Sequence, residues 1–432
     1  MDVFDIAEMR TKLRLFLNRF KSCAADKRAR NYFRLYTTGL ISNLQRKNCE
    51  AIALQAGVPV RSVQWFLSKQ VWDHEQMRNK LQKIIAQKQA GKHSIGIMDD
   101  TSVVKKGDQT PGVQRQHCGT VGKQENCIVT VHLAYVQGDF HTLIDQDLFL
   151  PEAWSNDRER CRRAGIPDEV VYRPKWEIAL EQYDRATING VVFDWLTFDE
   201  GYGGKPELLR QLDQRDQLFI GEVPSSFYAW TRLPKTTMKQ GKQGRKRISP
   251  RLVKGERGSI KVKNMLKYSP VLRDQPWVKY QIKESGKGLV IWEIKERAIF
   301  IRRSPRGVPW SNPLRLIVAR NVMNEKEEEI KYFVSNAPAE VSLDDLLLVA
   351  FSRWRVERSF QDTKQKLGMD HYEGRNYQGL IRHLLLCAVA YYFLQTQWVE
   401  LSKKKRFDFL SGGSCDGDGV DTACHHVTSV KN

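Results

Sequence analysis

The sequence is short of acid. Its 432 residues include 70 Lys and Arg against 50 Asp and Glu, a formal charge of +20, and the pI is about 9.6. An excess of that size speaks to partners, not to fold. It points first to nucleic acid and second to an anionic membrane surface. The chain also lacks any apolar run approaching the ~20 residues of a membrane span. The opening Met1-Asp2-Val3-Phe4-Asp5 lacks the basic start and apolar core of a signal peptide. A soluble, cytoplasmic protein without a membrane partner is expected. No C-x-x-C pair occurs among the eight cysteines, which excludes a familiar zinc module and leaves reduced thiols. The tail Cys415…Cys424-His425-His426 matches no structural zinc spacing.

The length allows two or three domains. Residues 1–90 read as helical, with apolar residues at helical spacing in Leu13-Arg14-Leu15-Phe16-Leu17 and around Leu81, Ile84 and Ile85. Within them, Ala53, Gly57 and Val63 have the spacing of a helix-turn-helix. That motif wants a small residue where two helices touch, Gly at the turn and a β-branched residue facing the core. An ordinary helical hairpin is the alternative. Residues 91–229 switch to short apolar strands, Ser94–Met98, Asn126–Val136 and Phe140–Leu150, then a helix over Lys175–Ile188. A strand over Gly190–Phe198, a helix over Lys205–Leu212 and a strand over Gln217–Val223 follow. The fold class is α/β.

Residues 230–330 read as a basic, β-rich insertion. Lys235 to Lys263 holds eleven Lys or Arg against one acid, among them Lys242, Arg245, Lys246 and Arg247. A solvated loop and a loop that tracks a DNA backbone both fit such a run. The α/β core resumes over residues 331–400, and 401–432 read as a disordered tail.

The carboxylates carry the chemistry. Asp100 and Asp199 each close an apolar strand, and Glu357 lies in the helix-like run Phe351–Lys364. Offsets of four and seven residues place Arg353, Glu357 and Lys364 on one helical face. Two strand-end aspartates and a helical glutamate suit two Mg²⁺ ions, which take hard oxygen ligands and promote in-line displacement at phosphorus. Mn²⁺ is a possible substitute. Asp99 and Asp100 are not separable by residue type, because neighbours on a strand face opposite sides.

These residues resemble the DDE transposases of bacterial insertion sequences. The similar branch carries the Y-x2-R-x3-E-x6-K signature (IS-four-like, IS-seven-oh-one group). Arg353-x3-Glu357-x6-Lys364 matches its last three terms, with Ala350 where the tyrosine falls. Asp100-Thr101-Ser102 followed by Lys105-Lys106-Gly107 looks like the first catalytic block, and Phe198-Asp199-Glu200-Gly201-Tyr202-Gly203 like the second. The resemblance implies an RNase H-like mixed-sheet core with a β-rich insertion and an N-terminal helical domain. It implies Asp100, Asp199 and Glu357 as the metal-binding triad. It implies DNA contacts by Arg353 and Lys364, to which Arg355, Lys105, Lys106, Arg61 and the insertion's basic residues are added from charge. The expected partners are double-stranded transposon ends, target DNA and a second copy of the chain on DNA, with the protein nucleoid-associated when bound. A nuclease of the same fold that cuts without joining, a non-catalytic DNA-binding protein and an RNA-binding protein are the rival readings.

Overall fold

Helix caps set the N-terminal elements. In the computed structural model, which describes residues 3–89, 91, 93–238, 250–284, 288–303, 308–323, 329–411 and 428–429, helix α1 spans Val3–Asn18 and α2 Lys27–Ile41. Helices α3 (Cys49–Gln55), α4 (Val60–Ser68) and α5 (His74–Lys88) follow. The side chains of Asp26, Asn48 and Asp73 accept from the first-turn amides of α2, α3 and α5. Gly57 stops α3 with φ +63°, and the Val58 amide turns back to the Ala53 carbonyl at 3.1 Å. Ala53 and Val63 are fully buried, so the turn joins two helices packed as the spacing requires.

Strands β1 (Ile95–Val104), β2 (Gln114–Cys118), β3 (Lys123–Gln137) and β4 (Phe140–Leu148) come next. Then come α6 (Glu152–Asn156), α7 (Arg158–Arg163), α8 (Lys175–Ile188), β5 (Trp195–Phe198), α9 (Glu200–Gly203), α10 (Pro206–Asp213) and β6 (Phe219–Val223). Short strands β7 (Tyr228–Trp230), β8 (Thr236–Thr237), β9 (Arg251–Leu252) and β10 (Ile260–Lys261) lead to α11 (Val262–Tyr268) and α12 (Pro270–Arg273). The remainder is β11 (Val278–Glu284), β12 (Gly288–Ile301), β13 (Leu314–Asn321), β14 (Ile330–Ser335), α13 (Leu343–Ala350), α14 (Trp354–Leu367) and α15 (Tyr377–Ser411).

The chain divides into two units. The first holds residues 1–94, 98–192 and 355–420. In it β1 neighbours β3, and β3 pairs antiparallel with both β2 and β4. The middle of β3 is buried without a break, as a strand covered on both faces must be. The second unit holds residues 95–97, 193–354 and 421–432. Its strands run β10-β7-β12-β13-β14-β6-β5, with β11 on the flank of β12. Only β5 and β6 are parallel among the pairs of this run. The fold is mixed α/β and consistent with an RNase H-like core.

Five expectations need correction. Asp100 does not close its strand: β1 continues to Val104 and leaves Asp100 inside it. The strand expected from Gly190 begins only at Trp195, because Gly190 (φ +87°) and the Val191 amide bonded to the Ala186 carbonyl close α8 first. The run Phe351–Lys364 is not one helix. Ser352 sends both its amide and its hydroxyl to the Val349 carbonyl, 3.0 and 2.7 Å. This ends α13 and leaves Arg353 in the turn before α14. Strand β2 and helices α11 and α12 were not expected. Helix α15 runs ten residues beyond position 401. By length and composition Tyr377–Lys403 could cross a membrane, but most of its apolar stretch is buried in the fold, and it carries the buried Arg382 and His383.

Gly221 on β6 keeps this packing close. A Cβ there would lie 1.9 Å from the ring of Phe198, the residue before Asp199. Gly221→Ala is expected to destabilise the protein by about 1–3 kcal/mol through overpacking, read as a lowered thermal midpoint. An unchanged midpoint would show that the Phe198 ring can move aside.

Candidate active site

In the first unit, α14 docks on β1 through one ammonium. Lys364 Nζ donates to Thr101 Oγ1 at 2.8 Å, the Ser102 carbonyl at 3.0 Å and Thr120 Oγ1 at 3.0 Å. Burial lowers its pKa. One turn earlier, Phe360 meets the His132 ring edge-on, with centroids 5.1 Å apart. Glu357 lies on the same stripe, two turns before Lys364, and is exposed. The sheet beneath holds His132 neutral, since burial and then Lys364 push its pKa down to about 3.

The two adjacent aspartates divide between the faces of β1. Thr101 turns its hydroxyl to Lys364 of α14, and alternation puts Asp99 on that side. Asp100 faces α8, where its Oδ2 accepts from Lys175 Nζ at 2.8 Å. Asp99 Oδ1 accepts the Asp100 amide at 2.7 Å. Other acids of this sheet are neutralised within it. Asp145 on β4 is fully buried and forms a two-point pair with Arg185 of α8, both contacts 3.0 Å, and Arg185 also reaches Asp147.

In the second unit, Asp199 ends β5 and caps α9. Its Oδ1 accepts from the amides of Gly201 at 2.9 Å and Tyr202 at 3.3 Å. Glu222 on β6 is half-buried, and Lys331 Nζ of β14 stands 3.6 Å from its carboxylate. Burial raises the Glu222 pKa. Lys331 and Arg353 lower it, and Glu200 and Asp199 raise it again. Arg353, Asp199, Glu200 and Glu222 therefore share one electrostatic neighbourhood.

The remaining expected residues fall into three groups. Arg61 on α4 and Lys106 after β1 are exposed. Lys105 and Arg355 serve packing. Lys105 Nζ donates to the carbonyls of Asp370 and Tyr372, with its pKa pushed down to about 8 by burial. Arg355 is buried and donates to the Gly138 carbonyl in the β3–β4 turn. Lys242, Arg245, Lys246 and Arg247 lie outside the described residues. Sequence reasoning missed Lys175, Glu222 and Lys331. Glu222 had left a signal, a lone acid inside the apolar strand Phe219-Ile220-Gly221-Glu222-Val223; Lys175, merely the first residue of a helix, left none.

Residues 16–288, more than half of the chain, match the family model described as DDE superfamily endonuclease. The chain belongs to that superfamily. The matched stretch includes Asp100 and Asp199 and stops before Glu357. Over 212 residues the chain is 32% identical to the "Probable transposase for insertion sequence element IS701" of Microchaete diplosiphon. That similarity covers 48% of this chain and 53% of the relative, so the chain spans about half the length of the curated protein it matches.

Nucleases of this superfamily generally use divalent metal ions. Asp100, Asp199 and Glu357 supply only carboxylate oxygens, the donors such ions take, although no cluster of three or more His, Cys, Asp or Glu is placed to hold a metal among the described residues. The Glu222 carboxyl gives a check that needs no metal. Its raised pKa makes the folded state hold the proton more tightly than the unfolded one. Stability is thus lost as pH rises from about 4.5 through the folded value. Glu222→Gln is expected to melt above wild type at pH 7 and to match it near pH 4; an equal difference at both pH values would refute the burial effect.

Proposed function

We propose that this chain is a cut-and-paste DNA transposase. Water hydrolyses the phosphodiester at the ends of the element, and the freed 3′-hydroxyl then attacks a target phosphodiester, forming the new P–O bond as the target strand's own 3′-oxygen leaves. The superfamily match across both aspartate blocks carries the reading, and the likeness to an insertion-sequence transposase supports it. Asp100, Asp199 and Glu357 hold two Mg²⁺, with Mn²⁺ as a substitute. Ions held there would supply positive charge at the attacking and leaving oxygens.

The chain's own residues do the rest. Lys364 fixes α14 on β1 and so sets the direction in which Glu357 projects. Lys175 offsets the charge of Asp100, and Lys331 and Arg353 offset the acids around Asp199. Arg353, at the turn before α14, suits a phosphate of the DNA end, as does Lys106. Such chemistry must be confined to paired ends, and assembly as a homodimer on DNA meets that need.

The decisive experiment is cleavage of DNA bearing the element's flanking inverted repeats with Mg²⁺. Glu357→Gln is expected to bind this DNA as wild type does and to cut it more than about 100-fold more slowly. Asp99→Asn and Asp100→Asn, run beside it, show which strand face carries the ligand. The family block, in which the ligand directly precedes Thr, assigns the ligand to Asp100, so only the Asp100 variant should lose cutting; loss by the Asp99 variant alone would instead place the ligand on the strand face that meets Lys364. Undiminished cutting by Glu357→Gln would sink the triad.

A further inference from the structure

Helix α4 presents a face that the chemistry of catalysis does not use. Arg61 and Gln64 stand three residues apart on its exposed side, next to Trp65, which is 54% exposed. The Arg61 guanidinium and the Gln64 amide make no hydrogen bond or ion pair among the described residues. The opposite side of α4 buries Val63, Phe66 and Leu67, so these three polar and aromatic groups cannot turn inward. Phe66 stacks on Trp72 with centroids 5.3 Å apart, and Arg382 of α15 binds the Phe66 and Leu67 carbonyls. The helix is thus held rigidly from behind.

Charge selects the occupant of this face. Residues 26–69 carry eight Lys or Arg and two acids. Asp26 caps α2, and Glu50 of α3 lines the cavity beside Gln64 together with Glu373, whose carboxylate accepts from Arg46 and Asn48; α4 itself carries no acid. A helix with a free guanidinium, a free carboxamide and an apolar ring, set behind a sharp turn at Gly57, suits the major groove of a DNA duplex. There Arg pairs in two-point fashion with guanine, Gln with adenine, and an apolar group meets the thymine methyl.

We infer that α4 is the recognition helix of this protein and that Arg61, Gln64 and Trp65 read base edges in its DNA ends. The inference rests on the transposase reading for the identity of that DNA. It goes further in assigning sequence choice to three named side chains.

The test is selection of binding sites from random-sequence duplexes by the full chain, with each variant's melting temperature checked. Wild type enriches a motif. Gln64→Ala loses about 5- to 150-fold discrimination at one base pair of it, with affinity for duplexes lacking the motif unchanged. Arg61→Lys, which keeps the charge and loses the planar fork, loses discrimination at a second position. Enrichment of no motif by wild type, or variants that keep its motif and weaken all duplexes alike, would overturn the assignment. So would a Trp65→Ala variant that changes mass in solution and leaves the motif intact, because the face would then bind protein. Glu357→Gln keeps the motif. Wild type that selects a motif and cuts no ends refutes the transposase reading alone; cut ends with unaltered variant motifs refute the recognition helix alone.

Discussion

The candidate site depends on a half-buried ammonium whose hydrogen bonds, among the described residues, go to no carboxylate. Lys364 meets two hydroxyls and one carbonyl, one acceptor for each of its three donors. A buried charge is tolerated only when it is fully hydrogen-bonded, so the contact fixes both the height and the rotation of α14. Phe360 can then lie only against His132, and Glu357 only on the stripe that those two residues define. Burial keeps His132 neutral, and the charge of Lys364 beside it works in the same direction.

The same device recurs. Lys47 donates to the Leu40 and Ser42 carbonyls at the end of α2. Arg382, 2% exposed, gathers the carbonyls of Phe66, Leu67, Gln70 and Trp72 at the end of α4. In the second unit Lys295 takes those of Leu272 and Arg273 at the end of α12. Each cation answers the orphan carbonyls and the negative end of a helix dipole. Part of the net charge of +20 is therefore interior and structural. Binding by the surface draws on the remainder.

This explains which parts of the molecule were legible in the sequence. The helix-turn-helix could be read because Ala53, Gly57 and Val63 act locally, through size and backbone freedom. Helix α8 was legible from periodicity, but only the apolar first half of the strand carrying Asp100 was, since β1 runs on through polar residues to Val104 and leaves Asp100 inside the strand. Lys105 and Arg355 looked like phosphate contacts because composition reports charge and not what the charge meets. Their partners, the carbonyls of residues 370, 372 and 138, are remote in sequence. The break at Phe351–Arg353 was invisible for a related reason. Apolar and basic residues continue through it, and a single serine that bonds back to Val349 decides where the helix ends.

Glu222 raises a different issue. It interrupts the apolar strand β6, is half-buried, and lies in the field of two other acids, Glu200 and Asp199. Lys331 and Arg353 offset that field, yet the net effect still favours the protonated carboxyl. Packing does not account for an acid here, since a neutral side chain of similar size would fold more readily. Gly221, the residue before it, is equally constrained, because it must leave room for the Phe198 ring that precedes Asp199. A charge that costs stability in an apolar strand, beside a glycine that the Phe198 ring requires, is not a pair that packing alone selects.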